Sequence, residues 1–164
     1  CLFCDLVSCA TYRGKIMSQN EKAQTTPHFS MQKIYLKKND YEAPNPASVF
    51  KTDWNPEVTL DLDIKDQKLE EDRYEVILSI SITANNAEQV AFRLEVDQAA
   101  SFLIGNFPDD RLEEALGSAC PAIMFPYLRE TVDHMLLKGG FPPLMLAPVN
   151  FDALYKDKKA QLTQ

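Results

Sequence analysis

"EVTLDLDIKDQKLEEDRYEVILSISITANNAEQVAFRLEVDQAASFLI", residues 57–104, contains neither proline nor glycine, although the whole chain has 10 prolines and 5 glycines. Period-two alternation of apolar and polar residues runs through most of it, the pattern of half-buried strands rather than helices. Val58, Leu60, Leu62 and Ile64 form one row. Tyr74, Val76, Leu78, Ile80 and Ile82 form a second, and Val90, Phe92, Leu94 and Val96 a third. Each row defines a face expected to be buried. The intervening polar links, "DQKLEEDR" and "ANNAEQ", are short enough to imply antiparallel hairpins. Upstream, "MQKIYLKKNDYEAP" supplies a fourth extended segment before Pro44 ends it. The expected sheet is four-stranded and antiparallel.

Between the first strand and the other three lies "PNPASVFKTDWNP", residues 44–56, too proline-rich for regular structure and so a crossover loop. Phe50 and Trp54 within it have two readings: they plug the end of the sheet, or they wall a binding site. Helical spacing begins only after the sheet. "DDRLEEALGSAC" places Leu112, Ala115, Leu116 and Ala119 on one face. After Pro121 a second stretch places Tyr127, Leu128, Thr131, Val132, Met135 and Leu136 on another, with Gly139 as the stop and Pro126 as a kink or restart. A final helix is expected from Asn150 as N-cap, with Val149 and Leu154 spaced as a hydrophobic staple. Strands first and helices after give an α+β domain with the helices on one face of the sheet.

The opposite face is expected to be open, bearing Thr59, Asp61, Asp63, Glu75, Ser79, Ser81, Arg93, Glu95 and Asp97. A net charge of -7 and a pI near 4.8 argue against a nucleic-acid or anionic-membrane partner, because both require dense Lys and Arg. No apolar run approaches the roughly eighteen residues that span a bilayer, so a cytoplasmic protein without membrane insertion is expected. Residues 1–28 read as a disordered extension and tail, 29–156 as the folded domain and 157–164 as a polar C-terminal tail. Cys1 and Cys4 have the spacing of half a zinc site but lack two further ligands, so no metal or other cofactor is expected. Catalysis is not expected either. Asp61, Asp63 and Glu75 are carboxylates on an open face rather than in an enclosed site that would split their pKa values, and no nucleophile order or phosphate loop is present.

Four blocks, "YEAPNPASVF", "DWNPEVTLDL", "CPAIMFPYLRE" and "GGFPPLMLAPVNFDALY", resemble the SecB family of bacterial protein-export chaperones in order and spacing, over roughly Phe29 to Tyr155. The resemblance implies a homotetramer, a dimer of dimers, that holds unfolded precursor proteins without ATP and passes them to the SecA motor ATPase. It further implies a client groove walled by Phe50, Trp54, Leu144, Leu146, Phe151 and Leu154. SecA docking falls to Glu42, Glu95, Asp61 and Asp63, and a subunit contact to the strand carrying Leu94, Val96 and Gln98. Two departures stand out: Lys38 occupies a place that is usually acidic, and Arg93 one that is commonly apolar. A SecB-like adaptor dedicated to one client or toxin is the alternative that the sequence leaves open.

Overall fold

In the computed structural model, residues 26–162 are described; of the extension and tail expected to be disordered over residues 1–28, all before residue 26, with Cys1 and Cys4, lies outside them, and His28 opens the first strand instead. Four strands form one antiparallel sheet: β1 (His28–Glu42), β2 (Glu57–Glu70), β3 (Arg73–Asn86) and β4 (Gln89–Gly105). Their spatial order is β1-β4-β3-β2. The connection from β1 to β2 therefore crosses from one edge of the sheet to the other, and it carries a single helical turn, α1 (Pro46–Val49). Two-residue turns join β2 to β3 and β3 to β4, tighter than the polar links suggest. At the second, Asn86 pairs with Gln89 while Ala87 and Glu88 have φ of 49° and 61°. Positive φ at both central positions is the type I′ geometry that matches strand twist.

The helical layer consists of α2 (Asp109–Glu114), a π-helical turn (Ala115–Ala119) and α3 (Cys120–Lys138), followed after a proline-rich loop by α4 (Phe151–Leu162). Pro121 lies where the π-helical turn passes into α3, and the helical layer is continuous through it. A proline ring collides with the carbonyl four residues back in an α-helix. Here the preceding turn is widened, and the Cys120 N–H donates to the Ala115 carbonyl five residues back. The widening also shifts the buried face: Ala115, Leu116, Ser118 and Cys120 point inward, whereas Ala119 and Tyr127, expected inside, are exposed. Pro126 sits within α3, which runs on without interruption.

Helix α3 ends in a Schellman arrangement. Phe141 N–H donates to the Leu136 carbonyl and Gly140 N–H to that of Leu137. Gly140, with φ of 83°, is the left-handed residue, one position beyond the stop expected at Gly139. Gly139 is small for a different reason, because a Cβ there would lie 2.0 Å from the Tyr41 hydroxyl. At the start of α4, Asn150 caps as expected, its Oδ1 accepting from Ala153 N–H at 3.1 Å. The helix then continues to Leu162, so residues 157–162 extend it rather than forming a separate tail.

The layer is narrower than the sheet. Helix α3 lies over β4 and β3, while the π-helical turn and α4 reach β2 only at its Leu62–Asp66 part. Val76, Leu78, Ile80 and Ile82 of β3 and Phe92, Leu94 and Val96 of β4 are accordingly buried. The equivalent row of β2 is not: Val58 is 40% and Leu60 42% exposed, and Leu62 and Ile64 are half-buried. The alternation expected to bury all three rows does so mainly on β3 and β4, because the helical layer stops short of the β2 edge.

The turn between β3 and β4 allows local strain to be measured. Non-glycine residues in the left-handed region cost roughly 1–2 kcal/mol each. Ala87→Asn combined with Glu88→Gly is expected to raise unfolding stability by about 1 kcal/mol, read as an increase in denaturation midpoint at unchanged slope. An equal or lower midpoint would show that the turn is unstrained.

Candidate functional site

The apolar material of "GGFPPLMLAPVNFDALY" centres on Phe141, a residue that the sequence pattern does not single out. The Schellman end of α3 delivers its ring to the sheet, where it lies 5.0 Å from Phe92, 5.1 Å from Phe50 and 5.2 Å from Trp54, centroid to centroid. Phe141 itself is buried, but Phe50 and Trp54 remain 54% and 37% exposed. One face of each packs on the cluster, in keeping with the plug reading, and the rest meets solvent.

A buried asparagine fixes the crossover loop. Asn86, the last residue of β3, donates through Nδ2 to Thr52 Oγ1 and to the Asp53 carbonyl, both at 3.0 Å. Its Oδ1 accepts from Asn55 N–H at 2.8 Å. Trp54 stands between these anchored residues. The sequence shows Asn86 only as part of a polar link, and its burial was the missing information.

Helix α4 closes the other end. Phe151 packs edge-on against Phe125 at 5.7 Å, Ser118 donates to Asp152, and the Tyr155 hydroxyl contacts Glu113 at 3.2 Å. Gly117 in the π-helical turn receives the Tyr155 ring, since a Cβ there would lie 2.6 Å from it. Between α4 and β2 is a cavity of about 640 Å³ lined by Leu62, Ile64, Leu116, Gly117, Leu154 and Leu162, with Lys158 and Lys159 at the rim. The uncovered row of β2 starts shortly after Trp54 and runs about 20 Å along the strand into this cavity. Trp54 and Leu154 therefore mark its two ends.

Of the residues assigned to a client groove, Phe50, Trp54 and Leu154 are exposed along this path, and Leu144 and Leu146 are half-buried against the core. Phe151 is 3% exposed and belongs to the core; the aromatic contact with Phe125 that anchors α4 removes it from any surface. Val58 and Leu60, expected in the core, are exposed on the same path.

On the open face of the sheet, register aligns Asp61, Ser81, Glu95 and Asp40 in one row across the strands. Asp63, Ser79, Asp97 and Lys38 form the next. All four acids assigned to docking are exposed; Glu95 pairs with Lys38 at 2.5 Å, Glu42 with Arg93 at 3.4 Å and Asp63 with Lys65 at 3.5 Å. Glu75, expected on this face as an open carboxylate, is buried. Tyr35 donates to its Oε1, while Lys37 at 2.9 Å and Gln67 at 2.5 Å reach its Oε2. Those bonds, that of Tyr35 foremost, hold the Glu75 carboxyl below the usual range despite burial. Tyr35 is pushed up to about 12 by burial and by the same carboxylate.

Leu94, Val96 and Gln98 are buried on the inner face of β4, and Thr131 of α3 donates to Gln98 Oε1 at 3.3 Å. These side chains face the chain's own helix layer. The parity of the strand dictates this, because they alternate with Arg93, Glu95 and Asp97 of the open face. Cys120 is buried too. Burial, then the charge of Asp66, pushes its thiol up to about 12, which leaves it protonated at neutral pH. Among the described residues no group of His, Cys, Asp and Glu is placed to hold a metal, and no helix is long and apolar enough to cross a membrane.

A family model described as preprotein translocase subunit SecB matches residues 22–162. The chain belongs to the SecB family. Relatives named protein-export protein SecB include that of Pseudomonas savastanoi pv. phaseolicola, 46% identical over 84% of this chain and 85% of the relative. That of Hahella chejuensis is 45% identical over 90% of this chain and 94% of its own length. The fold also matches a SecB-like chaperone of Mycobacterium tuberculosis solved with a ChAD peptide from an antitoxin. That likeness has a TM-score of 0.60 and 18% identity, and covers 74% of this chain and 90% of that one. The chain is accordingly a protein-export chaperone, and the α+β architecture is that of SecB-like proteins.

Two outcomes check the geometry. Trp54 is the only tryptophan in the chain, so its emission reports on the crossover loop. Asn86→Ala is expected to red-shift that emission and to cost about 1–3 kcal/mol, the penalty for groups left unpaired in a buried network; an unshifted spectrum would show that Asn86 does not position Trp54. The second concerns pH. A carboxyl held low stabilises the folded state above its ordinary pKa and loses that contribution as pH falls through the folded value. The stability difference between wild type and Glu75→Gln is therefore expected to be largest near neutrality and to shrink in acid, measured by denaturation from pH 7 to pH 3.

Proposed function

We propose that this SecB protein is a non-catalytic, ATP-independent holdase of the cytoplasm that keeps precursor proteins unfolded and delivers them to SecA. The observation that carries the reading is the uncovered apolar row of β2, running from Trp54 and Phe50 to the cavity at Leu154. Burying such surface yields roughly 25 cal/mol per Å² with no requirement for a particular sequence. An extended client segment with alternating apolar side chains fits its length and shape. Leu144 and Leu146 pack partly against the core in a loop that prolines stiffen, so little order is lost in holding that loop in place.

Docking to SecA is assigned to the open face of the sheet, with Asp61, Asp63, Glu95 and Glu42 as its acidic groups. A flat face of that charge attracts a basic partner and leaves the groove on the opposite side free. A homotetramer arranged as a dimer of dimers is assigned on family grounds. The outer face of α3 exposes Ile123, Tyr127 and Leu137, apolar area that a second copy would cover. Leu94, Val96 and Gln98, lying beneath that helix, would influence assembly by setting where it sits.

Trp54→Ala and Leu154→Asp are each expected to reduce suppression of aggregation of a denatured client several-fold while sedimentation still gives the tetramer mass. Thermal unfolding of the same samples separates the cases: parallel loss of stability, assembly and activity would assign both residues to the core. A panel of unrelated denatured proteins measures client range. Most should be held; retention of a single one would favour an adaptor dedicated to one client or toxin.

A further inference from the structure

Two consecutive lysines, Lys37 and Lys38, reach different carboxylates of the same sheet face: Lys37 contacts Glu75 at 2.9 Å and Lys38 contacts Glu95 at 2.5 Å. Consecutive residues of a regular strand point to opposite faces. The register shift of β1 between Leu36 and Lys38 removes that constraint, as a bulge re-aims side chains. Lys38 is thereby laid across the acidic rows. Its partner is not sequestered: both side chains of the Lys38–Glu95 pair are about half exposed, so water and ions screen the pair and it exchanges readily. One row further, Arg93 stands directly opposite Glu42 on β1 and pairs with it. Asp61 and Asp97 form no ion pair among the described residues.

We infer that Lys38 is a built-in competitor for the docking face, occupying the Glu95 carboxylate that a basic segment of SecA would otherwise take. The inference rests on the assignment of SecA docking to this face. A partner cation has to displace the Lys38 ammonium and approach against its charge. Only a partner contributing several positive charges at once, able to engage Asp61 and Asp97 as well, overcomes that competition. Isolated lysines on unrelated proteins do not. Lys38 therefore trades affinity for selectivity, and Arg93 does the same at Glu42.

The test is SecA binding by calorimetry at low and high salt to wild type, Lys38→Ala and Lys38→Gln, with Lys51→Ala as a variant losing the same charge away from the sheet face. Both Lys38 variants are expected to bind about two- to fivefold tighter at low salt, the range that an exposed ion pair supports. The gain should vanish at high salt, and Lys51→Ala should show a smaller change. If wild type binds SecA and the Lys38 variants bind equally or more weakly, or if Lys51→Ala gains as much, the competitor role is overturned while SecA docking stands. If none of the proteins binds SecA, the docking assignment fails and the inference with it.

Discussion

A single layer of helix cannot cover four twisted strands, and most of what is distinctive in this molecule follows from where the shortfall lies. Helix α3 seals β3 and β4. The π-helical turn and α4 lean toward β2 without covering it, leaving Val58 and Leu60 at the surface and Leu62 and Ile64 in a cavity. Leu62 and Ile64 pack partly against the core, whereas Val58 and Leu60 lie outside it. The start of the β2 row is thus apolar area that the core leaves uncovered.

Keeping that area open requires that the chain not collapse onto it, and two fixed points prevent collapse. At one end, Asn86 ties residues 52–55 to the end of β3, and Phe141 props Phe50 and Trp54 from below. At the other, α4 is held to the π-helical turn by the Gly117–Tyr155 contact and by the Phe151–Phe125 ring pair. Between them the loop from Phe141 to Asn150 is stiffened by Pro142, Pro143 and Pro148. Anchored ends and a stiff span keep the groove at its width.

The alternation of β3 and β4 was legible because strand parity and burial coincide there. On β2 the same alternation misleads: periodicity says which side chains share a face, not whether anything lies above it. Glu75 and Asn86 escaped for a related reason. Each is polar and locally ordinary, and each is buried only by residues brought alongside through strand pairing, Tyr35 and Gln67 for the one and the crossover loop for the other. The π-helical turn before Pro121 was not legible because it leaves no sequence periodicity of its own. The length of α4 was missed because its last turns, polar apart from Leu162, look like a tail. Of the six residues assigned to a groove, Phe50, Trp54 and Leu154 are exposed, Leu144 and Leu146 pack partly against the core and Phe151 is inside it, while parity places Leu94, Val96 and Gln98 under α3.

The charges on the outer face of β2 have a consequence for how copies of the protein behave toward one another. β2 is an edge strand with an apolar inner row, the kind of edge that recruits its own kind into extended sheets. Two such edges meeting antiparallel about Leu62 would bring Asp61 and Asp63 of one copy against Asp63 and Asp61 of the other. Like charges placed opposite each other disfavour that pairing. A segment without acids at those positions meets no such repulsion. Charge on this edge would therefore disfavour pairing with another copy more than pairing with a segment that lacks those acids.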